Sequence, residues 1–293
     1  MKKVVITGIH GQDGIILAQK LLKNKFKVIG FSNKNVNKIK RIQIYNIKNK
    51  KINLIEKLLN KINPHIIVHF GSTNPSFEKK FKKKDYNKNY NFSKFLIEYI
   101  SKKKIKFIFP SSAQIFKKKI DRVNENSLTN KTNYYSKFRL DITNFLLQKK
   151  KRNKLNASII ILFNHDSKYR NKRFLLPRLI KSIREKKMKF VEEIYYQNIN
   201  GDFSHADDIC NGIYLLIKKN KNPDKIIFSS GKRTFINNII IHFIPKLKLK
   251  DKKIQKTKNC LNIGNNSKAI KILGWKIKKN SLDAAKDLFK SSL

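Results

Sequence analysis

The chain opens with the stretch Val4-Val5-Ile6-Thr7-Gly8-Ile9-His10-Gly11-Gln12-Asp13-Gly14, in which an apolar run ends in three glycines spaced three residues apart. A helical apolar pattern follows over residues 15–22. Glycines at this spacing permit a tight turn, let the backbone approach a pyrophosphate, and let the helix pack closely on the strand. The N-terminus of such a helix presents free N–H groups to phosphates. The stretch therefore predicts a dinucleotide site, and its position between a strand and a helix disfavours a merely flexible turn.

The charge of the chain bears on its partners. The 293 residues include 68 Lys and Arg against 19 Asp and Glu, a formal net charge of +49. A clustered charge of this size is typical of nucleic-acid binding. Lysine is instead spread over nearly every polar segment, so we expect no nucleic-acid partner, only an attraction for anions such as a nucleotide-sugar. The hydrophobic content of 40% predicts a globular protein with a sizeable core.

Cysteine usage and hydropathy exclude other classes. Cys210 and Cys260 are too few and too far apart for a disulfide framework or a metal site, so we expect two buried thiols. The apolar run before Gly8 is too short for the core of a signal peptide, and no apolar run approaches the length that spans a membrane. We therefore expect a cytoplasmic protein without membrane contact.

Short apolar strands alternate with amphipathic helices along the first 165 residues. This rhythm is typical of a parallel sheet covered on both faces, and the right-handed crossover rule makes it a doubly wound α/β (Rossmann) fold. We expect a dinucleotide-binding domain over residues 1–165 and, over 166–293, mostly a smaller C-terminal α/β substrate lobe, the two being interleaved. Strands are predicted at Phe26–Phe31, Ile42–Tyr45, His65–Phe70, Ile105–Pro110, Ala157–Phe163 and Lys225–Phe228, and helices at Ile52–Ile62, Asn87–Ser101, Tyr134–Lys149, Phe174–Glu185, Asp207–Lys218 and Ser281–Lys290.

Small polar residues follow three predicted strands, at Gly71-Ser72, Ser111-Ser112 and Asn164-His165. Ligands of this fold lie beyond the carboxyl ends of the strands, so these groups point to one crevice. Tyr134 and Lys137 stand one turn apart at the start of a predicted helix. A phenol beside an ammonium is suited to take the proton of a hydroxyl during hydride transfer.

The end of the second strand bears on the choice of cofactor. NAD sites usually place an acid there to hold the ribose 2′-OH, whereas this chain has Ser32-Asn33-Lys34. The missing acid favours NADP, and NAD stays possible.

Four blocks of the chain resemble the GDP-mannose 4,6-dehydratase family of extended short-chain dehydrogenases/reductases. The tetrad Gly11-Gln12-Asp13-Gly14 is distinctive within that superfamily. The blocks at 162–167 and 201–208 look like its segments after the sixth strand and around Asp-aromatic-Gly-His-Ala, and 267–275 resembles the C-terminal motif of the superfamily. The resemblance implies that NADP oxidises C4 of a GDP-hexose, that water is eliminated across C5 and C6, and that the hydride returns to C6. It also implies a homodimer or homotetramer.

The resemblance also implies roles for individual residues. Ser112, Gln114, Tyr134 and Lys137 take the catalytic positions, and no metal site is implied. The candidate substrate-binding residues are Asn164, Arg178 and Asp202. The candidate cofactor-binding residues are Gly8, Ile9, His10, Gly11, Gln12, Asp13, Gly14, Ser32, Asn33, Asn46, Ile47, Phe70, Gly71, Ser72, Lys137, His165 and Arg170.

The chain departs from the family pattern where the chemistry takes place. Gln114 stands where the dehydratases have the glutamate that takes the C5 proton, and an amide cannot accept that proton. Four residues before Lys137 lies Asn133, so Tyr134 fills the position of the catalytic tyrosine only if one residue is deleted. Tyr169 and Gly201 replace arginines that would bind a diphosphate. Three hypotheses therefore stay open: a 4,6-dehydratase, a nucleotide-sugar reductase or epimerase, and a homologue that binds a dinucleotide without turnover.

Overall fold

A computed structural model describes residues 1–34, 39–76, 78–117, 121–220, 222–247 and 260–291. The helices in these ranges are α1 (Gln12–Lys23), α2 (Ile52–Ile62), α3 (Lys83–Ser101), α4 (Tyr134–Asn153), α5 (Leu175–Arg184), α6 (Met188–Tyr196), α7 (Ala206–Lys218), α8 (Ile236–Phe243), α9 (Ser267–Leu273) and α10 (Ser281–Lys290). The strands are β1 (Lys3–Thr7), β2 (Lys27–Ser32), β3 (Gln43–Asn46), β4 (Ile66–His69), β5 (Lys106–Ser112), β6 (Arg122–Val123), β7 (Ala157–Leu162), β8 (Asn164–Asp166), β9 (Asn200–Gly201), β10 (Phe203–His205), β11 (Lys225–Phe228), β12 (Thr234–Phe235) and β13 (Ile263–Gly264).

Seven strands form the main sheet in the order β11-β7-β5-β4-β1-β2-β3. All six pairings are parallel. The strand order reverses direction at β1, which lies between β2 and β4, so the crevice for a ligand opens at the carboxyl ends of β1 and β4. The predicted α/β fold class is confirmed. The strand predicted at 225–228 lies in this sheet beside β7, so the chain returns from the C-terminal unit to the nucleotide-binding sheet.

Alternating side chains of the sheet supply two separate cores. Val4 and Ile6 pack with α1, α7 and α9 on one face, whereas Val5 packs with α2, α3 and α4 on the other. Because both faces are covered, the strands are apolar at nearly every position, as expected for a parallel sheet. A third core joins α5, α6, α8 and α10 and forms the C-terminal unit.

Lys106 is a buried lysine that fixes the end of α7 to β5. Its ammonium donates to the carbonyls of Leu216, Ile217 and Lys219 at 2.6, 2.9 and 2.6 Å. These carbonyls lie at the C-terminus of a helix, where a positive charge is favourable. Burial, with a smaller contribution from Lys2, lowers the pKa of Lys106 to about 8.

Some local predictions need correction. Helix α3 begins at Lys83 rather than Asn87, because the Asp85 side chain accepts from the amide of Lys82 and caps the first turn. Helices α6, α8 and α9 were not predicted. Cys210 is buried as expected, but Cys260 is exposed, and its thiol lies beside the guanidinium of Arg233.

Two buried side chains stabilise the start of α7 and the segment after α9. Trp275 is fully buried and its indole donates to the carbonyl of Asp208 at 2.8 Å. His205 is the N-cap of α7, and its Nδ1 accepts the amide of Asp207. Within the described ranges, no helix combines the length and apolar character needed to cross a membrane.

Candidate functional site

The glycine turn between β1 and α1 forms a cradle that only small residues allow. Gly8 has φ +70°, and a Cβ there would lie 2.8 Å from the backbone of both Phe70 and Gly71. A Cβ on Gly14 would lie 2.6 Å from the carbonyl oxygen of Gly8. Gly11 is the N-cap of α1 and provides no side-chain cap, so the first-turn amides are available to an anion. This turn therefore fits the diphosphate of a dinucleotide.

Gln12 and Asp13 do not extend this cradle but bind the segment that follows β7. The Gln12 amide donates to the carbonyl of His165 at 3.1 Å and accepts the Ser167 hydroxyl at 3.0 Å. Asp13 Oδ1 lies 3.0 Å from His165 Nε2. These two side chains thus join the glycine turn to the segment that follows β7.

Asp13 and His165 each favour the charged form of the other. Burial alone would raise the pKa of Asp13, but the charge and hydrogen bond of His165, with smaller contributions from Arg170 and Gln12, outweigh it and lower that pKa to about 2. Burial alone would lower the pKa of His165. The carboxylate of Asp13 overcomes this and raises the pKa of His165. The Asp13 carboxylate therefore favours the protonated form of His165.

The candidate residues for the adenosine half surround the end of β2. The Ser32 hydroxyl lies 2.6 Å from His10 Nδ1 and accepts the amide of Lys34 at 2.9 Å. The amide of Ile47 donates to the carbonyl of Ser32, which places Asn46 and Ile47 beside this strand end. Asn33 is exposed next to Ser32. The strand end carries no acid, as the sequence indicates.

The loop after β4 is tied tightly to β1 and α3. The amide of Gly71 donates to the Thr7 hydroxyl, which lies 2.7 Å from His69 Nδ1, and His69 Nε2 lies 2.9 Å from the Ser93 hydroxyl. Burial, with the nearby charge of Arg139, lowers the pKa of His69 to about 3. His69 is therefore a neutral link in a buried hydrogen-bond chain that sets the position of the loop beginning at Phe70.

Arg139 joins this loop to β5. Its guanidinium donates to the carbonyl of Pro110 at 2.5 Å, to the hydroxyl of Ser72 at 3.0 Å and to Asn74 Oδ1 at 2.8 Å. Only 3% of Arg139 is exposed, and its Nε has no hydrogen-bond partner in the described structure. Sequence reasoning missed this residue.

Tyr134 and Lys137 lie on the outer side of α4. Tyr134 is 44% exposed. The Lys137 ammonium lies 3.3 Å from Asp141 and 5.5 Å from the centroid of the Tyr86 ring, on the neighbouring helix α3. The structure therefore does not bring these two candidates into the crevice at the carboxyl ends of β1 and β4.

A cavity of about 230 Å³ opens beside the carboxyl ends of β5 and β8. Gln114, Asn164, His165, Asp166 and Arg170 line it together with apolar side chains. Arg170 lies 3.3 Å from Asp166 and stacks on the Phe174 ring at 3.7 Å. Ser112, half-buried at the end of β5, accepts the amide of Gln114 at 3.2 Å. The sequence-predicted Gln114, Asn164, His165 and Arg170 are thus brought together.

The other two candidate substrate residues have different surroundings. Asp202 is fully buried, and its carboxylate accepts the amides of Ser230, Gly231 and Gly264 and the hydroxyl of Ser230. Burial raises the pKa of Asp202, and these donors oppose that effect. Both carboxylate oxygens of Asp202 therefore already accept hydrogen bonds from the protein itself. Arg178 on α5 pairs with Glu78 at 2.9 Å.

Comparison with known proteins adds to this geometry. The model of the NAD dependent epimerase/dehydratase family matches residues 4–231. The chain belongs to this family. It is 22% identical to a GDP-mannose 4,6-dehydratase of Yersinia enterocolitica over 272 residues, which cover 82% of this chain and 70% of that protein.

Solved structures of the epimerase/dehydratase family share the fold. A dTDP-glucose 4,6-dehydratase of Bacillus anthracis in complex with NAD superposes with a TM-score of 0.81 at 16% identity, covering 99% of this chain and 96% of that one. A UDP-glucuronic acid 4-epimerase of Bacillus cereus in complex with UDP-glucuronic acid and NAD gives 0.80 at 19% identity, with 98% of each chain covered. Within the described residues, no group of three or more His, Cys, Asp or Glu could hold a metal ion.

A sequence signal for Arg139 existed. Tyr135 precedes Arg139 by four residues, which places both on one side of α4. The family resemblance implies the same four-residue spacing between a tyrosine and a lysine, and here an arginine stands in the place of the lysine.

Proposed function

We propose that this member of the epimerase/dehydratase family is an NADP-dependent 4,6-dehydratase of a GDP-hexose, of the GDP-mannose type. The observation that carries the proposal is the set of contacts from Gln12 and Asp13 to His165 and Ser167. Gln12 and Asp13 of the distinctive glycine tetrad would then have a structural role, because these contacts would hold the wall of the substrate site against the nucleotide turn. The similarity to a GDP-mannose 4,6-dehydratase supports the same assignment.

The glycine turn and the end of β2 would hold the cofactor. The first-turn amides of α1 would bind its diphosphate, and the strand end at Ser32 and Asn33 would take the adenosine ribose without an acid to repel a 2′-phosphate. When bound, NADP would supply a hydride acceptor for C4 of the sugar and a hydride donor for C6. Ser112 would hold the C4 oxygen at the end of β5.

Elimination of water needs a base for the C5 proton, and Gln114 cannot supply it. Asp166 is the carboxyl group among the described residues that line the same cavity. Burial, opposed by Arg170 and His165, raises the pKa of Asp166. A carboxylate with a raised pKa is a better proton acceptor, so we assign the C5 proton to Asp166.

The second candidate is a nucleotide-sugar epimerase or reductase. The exposed amide of Gln114 in the cavity favours it, because neither reaction requires a glutamate at that position. Both candidates use the same nucleotide turn and the same hydride-transfer site. The expected homodimer or homotetramer remains part of the proposal.

The test is to incubate the purified protein with GDP-mannose and NADP and to identify products by NMR. The proposal expects a 4-keto-6-deoxy sugar from the wild type, none from Asp166→Asn, and a faster reaction from Gln114→Glu. Asp224→Asn, which changes an exposed partner of Lys150 far from the cavity, is the matched control. A change of configuration at C4 without loss of water would favour the epimerase. GDP-mannose that stays unchanged with all variants would contradict the dehydratase.

A further inference from the structure

A second cavity, of about 260 Å³, lies at the edge of the sheet where β1 begins, opposite the crevice at the carboxyl ends of β1 and β4. It opens between the end of α1, the end of α7 and the residue before β1. Its lining residues are Lys2, Asn24, Lys25, Phe26, Ile217 and Lys218. Three of these six residues are lysines, and none is acidic. We call it the lysine cavity.

The lysine cavity has no counter-ion among the residues that the structure describes. Lys2, Lys25 and Lys218 are exposed, and none of them pairs with a described carboxylate. Their charge also acts on the interior. Burial, with a contribution from the charge of Lys2, lowers the pKa of Lys106. Like charges are thus concentrated in one place, and a concave surface lined by charges of one sign attracts ions of the other.

The carbonyl groups at the two helix ends, which would repel an anion, already have donors. At the end of α7, the ammonium of Lys106 donates to three carbonyls of residues 216–219, at 2.6, 2.9 and 2.6 Å. At the end of α1, the amides of residues 24–26 donate to carbonyls of the last helical turn. The negative ends of both helices are therefore covered, and the lysines determine the sign of the potential in the cavity.

Tyr214 of α7 orders one wall of the cavity. Its hydroxyl donates to Asn24 Oδ1 at 2.7 Å, and Asn24 Nδ2 donates to the carbonyl of Lys20 at 2.8 Å. The ammonium of Lys218 lies 5.6 Å from the centroid of the Tyr214 ring, a distance at which the ring attracts a cation. These contacts join the ends of α1 and α7, so the wall is formed before an anion binds.

We propose that the lysine cavity binds a small diphosphate anion through Lys2, Lys25 and Lys218. A lysine ammonium binds phosphate as a point charge, so three of them can surround an anion without the fixed geometry that a guanidinium requires. A phosphate monoester carries about two negative charges near pH 7, so three ammonium groups favour a diphosphate, which carries more.

The size of the cavity limits what it can hold. Its volume of about 260 Å³ is below the range of about 300 to 1,000 Å³ that is usual for drug-sized ligands, so it suits a small anion rather than a dinucleotide. The site is separate from the glycine turn, which lies at the other edge of the sheet. The inference therefore does not depend on the proposed function.

The first arm of the test compares two double variants that remove equal charge. Inorganic pyrophosphate is titrated calorimetrically at physiological ionic strength, where exposed charges more than about 8 Å apart are largely screened. Lys25→Gln/Lys218→Gln should raise the Kd at least about tenfold, because two charged contacts are lost. The control, Lys57→Gln/Lys61→Gln, removes two exposed lysines of α2 on the other face of the sheet and should stay within about twofold.

Thermal melts check that both double variants fold. Pyrophosphate stabilises only a protein that binds it in the folded state. It should therefore raise the melting temperature of the wild type and of the control, and it should do so much less in Lys25→Gln/Lys218→Gln.

The second arm separates the lysine cavity from the glycine turn, which also fits a diphosphate. Pyrophosphate is titrated in the presence of saturating NADPH, which occupies the turn. One pyrophosphate per chain should still bind, and this binding should be weakened at least about tenfold in Lys25→Gln/Lys218→Gln. Inorganic phosphate, with its lower charge, should bind at least about tenfold more weakly than pyrophosphate.

Several results would overturn the inference. Equal losses in the two double variants would show an attraction to the overall charge of the chain and not to this cavity. Complete displacement of pyrophosphate by NADPH would assign the binding to the glycine turn, and phosphate that binds as tightly as pyrophosphate would contradict a diphosphate site. If NADPH does not bind, the proposed function fails, and the comparison of the two double variants decides this inference alone.

Discussion

The turn between β1 and α1 and the start of α4 differ in how far their structure can be predicted from the sequence. The turn is built from residues within one short stretch, and each glycine meets backbone that lies close in space. The start of α4 carries two phenols and two cations, namely Tyr134, Tyr135, Lys137 and Arg139. Only the packing of the helix decides that Tyr135 and Arg139 are buried. A local backbone requirement is therefore visible in the sequence, whereas a choice between helix faces depends on contacts with β4 and β5.

The largest expected effect is on the turn. Gly8→Ala places a Cβ against the backbone of Phe70 and Gly71 at a residue with φ +70°. We expect it to lower the free energy of unfolding by about 3 to 5 kcal/mol and to abolish NADPH binding. The control is Gly274→Ala, where φ is +61° and nothing lies within 4 Å of the new Cβ, so the loss should be only about 1 kcal/mol. Urea unfolding measures both, and equal losses would show that the close approach in the turn does not matter.

The next effect compares two predicted substrate residues. Asp202→Ala leaves several buried donors without an acceptor, and we expect a loss of about 2 to 4 kcal/mol in the free energy of unfolding. Asn164→Ala, at an exposed position in the cavity, should leave stability unchanged and raise the KM for the nucleotide-sugar. The reverse result would place the substrate at Asp202.

The Asp13–His165 pair should make stability depend on pH. Folding lowers the pKa of Asp13 from 3.8 to about 2, so its contribution of about 2 kcal/mol is present above pH 3.8 and is lost as the pH falls through the lower value. Folding raises the pKa of His165, so its contribution is present below 6.5 and is lost as the pH rises through the folded value.

The measurement that checks the pair is urea unfolding between pH 3 and 9. The difference between the wild type and Asp13→Asn should be greatest between the two ordinary pKa values, 3.8 and 6.5. The exposed carboxylate of Asp224, which pairs with Lys150, gives the control Asp224→Asn, with no such maximum. A difference that does not change with pH would contradict the pair.

The smallest expected effect is at Lys137. Its ammonium is half-exposed beside Asp141 and Tyr86, so Lys137→Met should change the free energy of unfolding by less than about 0.5 kcal/mol. Thermal and urea unfolding measure this value. A loss of several kcal/mol would show that Lys137 belongs to the interior, and the comparison between the two sides of α4 would fail.

Much of the fold could be predicted from the sequence, because strands of a covered parallel sheet are continuous apolar runs and their helices are amphipathic. The helix at Ile52–Ile62 and the strand at Lys225–Phe228 have the predicted bounds. The sequence did not indicate that this strand joins the main sheet, since pairing with β7 is a long-range contact. The hydrogen-bond partners of Arg139 and Asp202 could not be predicted either, because they lie on other elements.

The most direct test of the account is a crystal structure of the complex with NADPH. The account predicts the diphosphate over the first turn of α1 and the nicotinamide half at the carboxyl ends of β1 and β4, next to Ser72. A nicotinamide half bound beside Lys137 and Tyr134, or a diphosphate away from the glycine turn, would contradict it.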